Sequence, residues 1–144
     1  MGKAGIGRLW VKSGGGVGAM ILNFDDLKAH LGRVAMVDGA FDPVHSGHVA
    51  YFEAAALLGV PVLCNPASDR YVEGKHAPVL PQAERAKLID SLKPITFVHP
   101  NSYDTETALK ELKPKYYVKG KDWEGQFPEE QIRICKEQGT ETWT

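Results

Sequence analysis

His45 and His48 are the residues of this chain whose types and spacing best suit chemistry. They lie in the stretch Asp38-Gly39-Ala40-Phe41-Asp42-Pro43-Val44-His45-Ser46-Gly47-His48. Three apart on a first helical turn, the two imidazoles face the same way. Gly47 between them has no side chain, which lets an anion approach the backbone. A helix N-terminus adds unpaired N–H groups and a partial positive charge. Together these suit a phosphoryl group that gains charge in a transition state. Zinc would need three or four ligands, and the other candidates, Cys64, Cys135, His30, His76 and His99, are scattered without ligand spacing. No metal site is therefore expected. A capped helix carrying incidental histidines is the plain alternative.

The elements that must position this loop are readable on either side of it. The apolar run Val34-Ala35-Met36-Val37 precedes it, in a strand expected over 33–37, and a helix-like segment from His48 to Leu58 follows. Strand, loop and helix in that order make a phosphate site at the end of a parallel strand. Gly39 permits a backbone conformation that a side chain resists, and Pro43 stiffens the turn. Upstream, Asn23 or Asp25 caps a short helix that stops at Gly32. Downstream, Val60-Pro61-Val62-Leu63-Cys64 is a continuous apolar run, as in a buried parallel strand. Asn65 to Asp69 is read as a turn leaving that strand, with Asn65 and Asp69 as polar contacts or ordinary turn residues. Residues 70–81 form a loop or part-helix too long for a simple link. A helix over 82–92 turns Ala83, Ala86, Leu88, Ile89 and Leu92 inward and carries Arg85 in its first turn, where a cation opposes the helix dipole. Such a charge serves an incoming anion or is merely solvated. Strands at 95–98, 116–119 and 140–143 alternate with helices at 105–112, capped by Asp104, and from Pro128 to Gln138, stopped by Gly139.

The loop Gly39-x-Phe41-Asp42-x-x-His45-x-Gly47-His48 resembles the signature of the cytidylyltransferase-like nucleotidyltransferases. That family joins a nucleoside triphosphate to a phosphorylated alcohol, sugar or cofactor precursor and releases pyrophosphate. The resemblance covers about residues 22–144 and is most similar to the heptose-phosphate adenylyltransferase domain. The string Asp122-Trp123-Glu124-Gly125 also resembles glycerol-3-phosphate cytidylyltransferases. It implies that His45 and His48 donate hydrogen bonds to the α-phosphate and bridging oxygen. Gly39, Ala40, Phe41, Asp42 and Gly47 form the phosphate loop, with Asp42 a candidate for contact through water. A lysine followed by a helical arginine meets phosphates in the family, and Lys75 and Arg85 match that pattern. A lysine-glycine-x-aspartate segment lies beside the nucleotide, matched by Lys119, Gly120 and Asp122. Trp123 is placed to stack on a base or to cover the core edge. Mg²⁺ would accompany ATP or CTP, with a small phosphorylated substrate as acceptor. The family often forms homodimers. Beyond the fifth strand the family continues into a serine/threonine-rich turn and a final helix, whereas this sequence ends first. A non-catalytic nucleotide-binding protein on the same fold is the alternative reading.

Composition agrees with these expectations. A chain of 144 residues, 43% hydrophobic and 24% charged, suits one globular domain. A net charge of −1 gives no electrostatic footprint for nucleic acid, and no apolar run approaches membrane-spanning length. Cys64 and Cys135 fit apolar strand and helix patterns and read as reduced thiols of a cytoplasmic protein. Residues 1–20 hold seven of the fifteen glycines and no acid, and are expected to be a disordered tail before a domain at 21–144. Within that tail Gly14 to Ala19 matches a loose dinucleotide fingerprint, but it lacks a convincing strand before it. Met20 as the working start is a further expectation. The expected fold is a three-layer Rossmann-like α/β sandwich. Its five-stranded parallel sheet has order 3-2-1-4-5, with ligands over strands one and four.

Overall fold

The computed structural model describes residues 20–121 and 125–144. The expectations for residues 1–19 and the nucleotide contacts of Asp122 and Trp123 lie outside these residues. After a 3-10 helix at Phe24–His30, the elements are β1 (Ala35–Gly39), α1 (Ser46–Ala56), β2 (Val62–Pro66), α2 (Asp69–Glu73), α3 (Gln82–Asp90), β3 (Phe97–Val98), α4 (Thr105–Leu112), β4 (Tyr116–Val118), α5 (Glu129–Gln138) and β5 (Glu141–Trp143). The strands form one sheet of order β3-β2-β1-β4-β5, and each neighbouring pair is parallel. Met20 to Leu22 lie along the outer edge of β3, where the Leu22 N–H donates to the Val98 carbonyl at 2.7 Å. That pairing covers an edge whose N–H and C=O groups would otherwise be exposed.

The side-chain alternation of the strands divides the core into two layers. Ala35, Val37, Val62 and Cys64 pack with Phe52 and Ala55 of α1 and Ala86 and Ile89 of α3. Met36, Leu63 and Tyr117, with Val34 ahead of β1, pack on the opposite face with Leu27, Leu109, Leu112, Ile134 and Cys135. Each fully buried large apolar side chain contributes about 1.5–3 kcal/mol. Both cysteines are buried and free. The caps follow local chemistry: Asp104 Oδ1 accepts from the Thr107 N–H at 2.7 Å and starts α4, while Gly139 ends α5 with φ +79°.

Two readings of the chain change here. Asn65 and Pro66 belong to β2 rather than to a turn, because β1 extends to Gly39 and pairs Asp38 with Asn65 and Gly39 with Pro66. In α3, Ala83 and Leu88 are exposed, and Arg85 and Asp90 take the buried positions instead. Among the described residues no helix is long and apolar enough to cross a membrane.

Candidate functional site

The signature loop closes on itself at the N-terminus of α1. His45 is the helix N-cap, with an extended backbone. Its Nδ1 accepts from the Gly47 N–H at 3.1 Å, and His48 Nδ1 accepts from the His45 N–H at 3.2 Å. An imidazole nitrogen that accepts an N–H carries no proton, so both neutral rings hold their proton on Nε2. The rings stack with centroids 3.8 Å apart. Partial burial, and then the neighbouring His45, lower the His48 pKa below its ordinary value and favour this neutral form. A Cβ on Gly47 would stand 2.9 Å from His45 Cε1, so the ring itself requires a glycine there. Gly39 is similarly confined, since its Cβ would meet the Phe41 ring at 3.0 Å. Phe41 takes φ +52°, a left-handed conformation costing on the order of 1 kcal/mol for a non-glycine residue. Its buried ring meets Phe52 and, edge-on at 5.0 Å, His48. The core thus fixes Phe41, and Phe41 supports His48.

A buried polar network stands beside the loop, at the ends of β1 and β4. Lys119 Nζ donates to Asp38 Oδ1 at 3.1 Å, and Thr105 Oγ1 donates to Asp38 Oδ2 at 2.9 Å. The Tyr117 hydroxyl lies 3.1 and 3.0 Å from the two Asp38 oxygens and 3.0 Å from Gln131 Oε1. Burial first, and then the Asp38 charge, push the Tyr117 phenol far above its ordinary range, so it remains a donor. Gln131 Nε2 donates onward to Glu106 Oε2 at 3.0 Å. The Tyr51 hydroxyl donates to the Val118 carbonyl and accepts from the Asp38 N–H, which ties α1 to both strands.

Loop and network line one cavity of about 660 Å³ over the carboxyl ends of β1, β2 and β4. It brings together Gly39, Ala40, Phe41, Asp42, His45, His48, Lys75, Lys119 and Gly120 from the sequence expectations. Lys75 Nζ lies 5.1 Å from the Tyr71 ring centroid, at the mouth. Gly47 lies behind the His45 ring rather than on the wall.

Two placements differ from what the residue types suggested. Arg85 is fully buried and does not line the cavity. Its Nε donates to the Leu80 carbonyl, its Nη1 to the Ala40 and Ala67 carbonyls at 2.7 and 2.9 Å, and its Nη2 to Asp69 Oδ1 at 2.8 Å. The guanidinium therefore joins the signature loop to the loops before α2 and α3. Asp69 also accepts from the Gln82 N–H at 2.7 Å, so the anion at the start of α3 is Asp69 itself. Asp42 uses both carboxylate oxygens, each at 2.8 Å, on the Val79 and Leu80 N–H groups. Desolvation works against its ionised form. The two N–H groups, together with the nearby Arg85 and His76, outweigh it and hold the pKa below its ordinary value.

The cavity wall also includes Asn65, one of the two polar candidates after the second apolar run, and four residues absent from the sequence-based set: Asp38, Asn101, Thr105 and Gln131. Asp38 and Asn65 carried a signal, being polar residues at the ends of apolar parallel strands, on the ligand side. Gln131 shares a helical face with Ile134 and Cys135, and a polar residue on an apolar stripe marks a buried partner. Among the described residues no three His, Cys, Asp or Glu side chains converge as a metal site.

A family model described as cytidylyltransferase-like matches residues 36–140, from β1 to the residue before β5. The chain belongs to the cytidylyltransferase-like family. Among curated relatives, the bifunctional protein HldE of Coxiella burnetii (strain Dugway 5J108-111) is 34% identical over 110 residues, covering 74% of this chain and 23% of the relative. HldE of Streptomyces coelicolor is 38% identical over 103 residues, covering 69% of this chain and 22% of the relative. The chain thus spans less than a quarter of the length of these family relatives. The crystal structure of the lipopolysaccharide core biosynthesis protein from Thermoplasma volcanium has the same fold. Its TM-score is 0.65 at 22% identity, over 77% of this chain and 93% of that one.

Proposed function

We propose that this chain is a nucleotidyltransferase that couples ATP or CTP to a phosphorylated sugar or polyol and releases pyrophosphate. The observation that carries the reading is the mutual lock of His45 and His48, which leaves both rings protonated on Nε2. Two such donors at a helix N-terminus match the oxygens that gain charge around an α-phosphorus. Family membership and the heptose-phosphate resemblance support the same reaction class.

In the reaction, a phosphate oxygen of the acceptor attacks the α-phosphorus. A new P–O bond forms as the bond to the bridging oxygen breaks, and pyrophosphate leaves with the electron pair. The attacking phosphate is ionised near neutral pH, so no strong base is required. The chain's part is alignment and charge stabilisation. His45 and His48 donate to the α-phosphate and the departing oxygen. Lys75 at the mouth meets phosphate charge, and Gly120, beyond β4, borders the nucleotide. Arg85 and Asp42 act through the loops they hold. When bound with the triphosphate, Mg²⁺ would supply charge neutralisation for the departing pyrophosphate. Asp42, within the loop, already accepts an N–H on each carboxylate oxygen, which fits an ion held chiefly by the nucleotide.

The test is incubation with Mg²⁺, ATP or CTP, and a panel of sugar and polyol phosphates, with products identified by mass spectrometry. A product weighing the acceptor plus one nucleoside monophosphate, less water, establishes the reaction and names base and acceptor. Nucleotide binding without such a product from any pair would support the non-catalytic reading instead.

A further inference from the structure

The amide of Asn65 is the most conspicuous polar group of the cavity that the proposed reaction does not use. Asn65 is 2% exposed, lies in the last part of β2 and lines the cavity. Its Oδ1 sits 2.7 Å from Nδ1 of His99, which is equally buried. A carbonyl oxygen cannot donate, so His99 carries its proton on Nδ1, and the amide is fixed with Nδ2 on its other side. Among the described residues Nδ2 has no protein partner. Its neighbour across the register, Asp38, is taken by Lys119, Tyr117 and Thr105. The other amide on this wall, Asn101, is different. Its Nδ2 donates to the Tyr103 carbonyl and its Oδ1 accepts from the Tyr103 N–H, so it closes its own turn. A buried N–H left without a partner is costly, which marks Asn65 as a group awaiting one.

We propose that Asn65, oriented by His99, donates a hydrogen bond to an oxygen of the phosphorylated acceptor. This rests on the nucleotidyltransferase reading and adds a specificity residue to it. The position within the cavity selects the acceptor over the nucleotide. Asn65 lies on the β2 flank, whereas the expected nucleotide segment, Lys119 and Gly120, follows β4 on the other side of β1. The same flank carries Lys75, a cation for a phosphate, and the exposed rings of Tyr71 and Tyr103, flat apolar faces for a sugar or polyol chain. Burial lowers the His99 pKa to about 4, so the ring stays neutral at physiological pH and keeps a single N–H for Asn65. His99 touches no ligand in this arrangement. It is a positioning residue, and Asn65 is the binding one.

The experiment compares wild type with Asn65→Asp, which keeps the shape and replaces the donor with an acceptor, and with His99→Gln. Steady-state kinetics with the pair found active should show the acceptor KM raised roughly tenfold or more by Asn65→Asp. The nucleotide KM should stay within twofold. An unchanged acceptor KM, or a rise confined to the nucleotide KM, overturns the assignment. Long-range ¹⁵N correlation spectra of the wild type read the His99 tautomer directly, without turnover. Protonation on Nδ1 is required, and protonation on Nε2 means that the amide is reversed and the proposal is wrong. Absence of turnover by the wild type with every pair would refute the reaction alone. Calorimetric titration with glycerol 3-phosphate and glucose 1-phosphate then decides for Asn65. Binding weakened by Asn65→Asp supports the assignment, and equal binding or none by wild type rejects it.

Discussion

Arg85 offers the sharpest prediction, because its residue type suggests a phosphate ligand and its geometry shows a clamp. The guanidinium is fully buried and donates to three main-chain carbonyls, of Leu80, Ala40 and Ala67, and to the Asp69 carboxylate. Arg85→Leu would leave those acceptors without their donor. Hydrogen bonds from a charged group contribute about 1.5–3 kcal/mol each but are not additive within one cluster. Asp69 is partly exposed, so water recovers part of its loss. The net destabilisation should be about 3–5 kcal/mol, the range for removing one partner of a buried pair. In a chain of this size that lowers Tm by roughly 10 °C or more. Arg85→Lys keeps the charge, but a compact ammonium with three donors does not span these acceptors, so about 2–3 kcal/mol should still be lost. Urea unfolding of both variants measures this, alongside nucleotide KM for whatever folds. The clamp predicts a loss of stability in Arg85→Lys with a fall in kcat as the Ala40 loop loosens. Wild-type stability in Arg85→Lys together with a tenfold or larger rise in triphosphate KM would refute the reasoning, since it would mean that the guanidinium turns outward to phosphate.

Other consequences follow from the same geometry. Gly47→Ala places a Cβ 2.9 Å from the His45 ring, so it should displace His45 and lower kcat at least tenfold while the fold, by circular dichroism, persists. His99 has a folded pKa of about 4 against roughly 6.5 in an unfolded chain, so the unfolded state binds the extra proton. Its contribution is therefore present above pH 6.5 and lost as pH falls toward 4, by roughly 2–3 kcal/mol, and His99→Gln should flatten the pH dependence of urea stability in that interval. Asp38→Ala removes the carboxylate shared by Lys119, Tyr117 and Thr105 and should cost about 3–5 kcal/mol in the same assay.

The parts of the site readable in the sequence are those set by local chemistry. The histidine spacing, the glycines of the signature loop, the Asp104 cap and the Gly139 stop each depend on residues a few positions apart. The strand order follows from the family pattern of alternating strands and helices, and the parallel sheet carries it. The polar network was not readable, because Asp38 meets Tyr117 and Lys119 across 79 and 81 residues and only the β1–β4 pairing brings them together. Arg85 misleads for a related reason. Its position in the first turn of a helix is local information, whereas its partners Ala40, Ala67 and Asp69 come from other loops. Asn65 was visible as a polar residue but not as a strand residue, since proline after it reads as a turn until Gly39 pairs with Pro66.

The most direct test is pyrophosphate release, with Mg²⁺, ATP or CTP and sugar or polyol phosphates, by the wild type, His45→Ala and His48→Ala. If the two Nε2–H donors stabilise the transition state, the wild type turns over. Each substitution then lowers kcat about 10²–10³-fold, the loss expected for one such donor, with the folded structure retained by NMR. Turnover that survives both substitutions within a few-fold would contradict the assignment of chemistry to this loop.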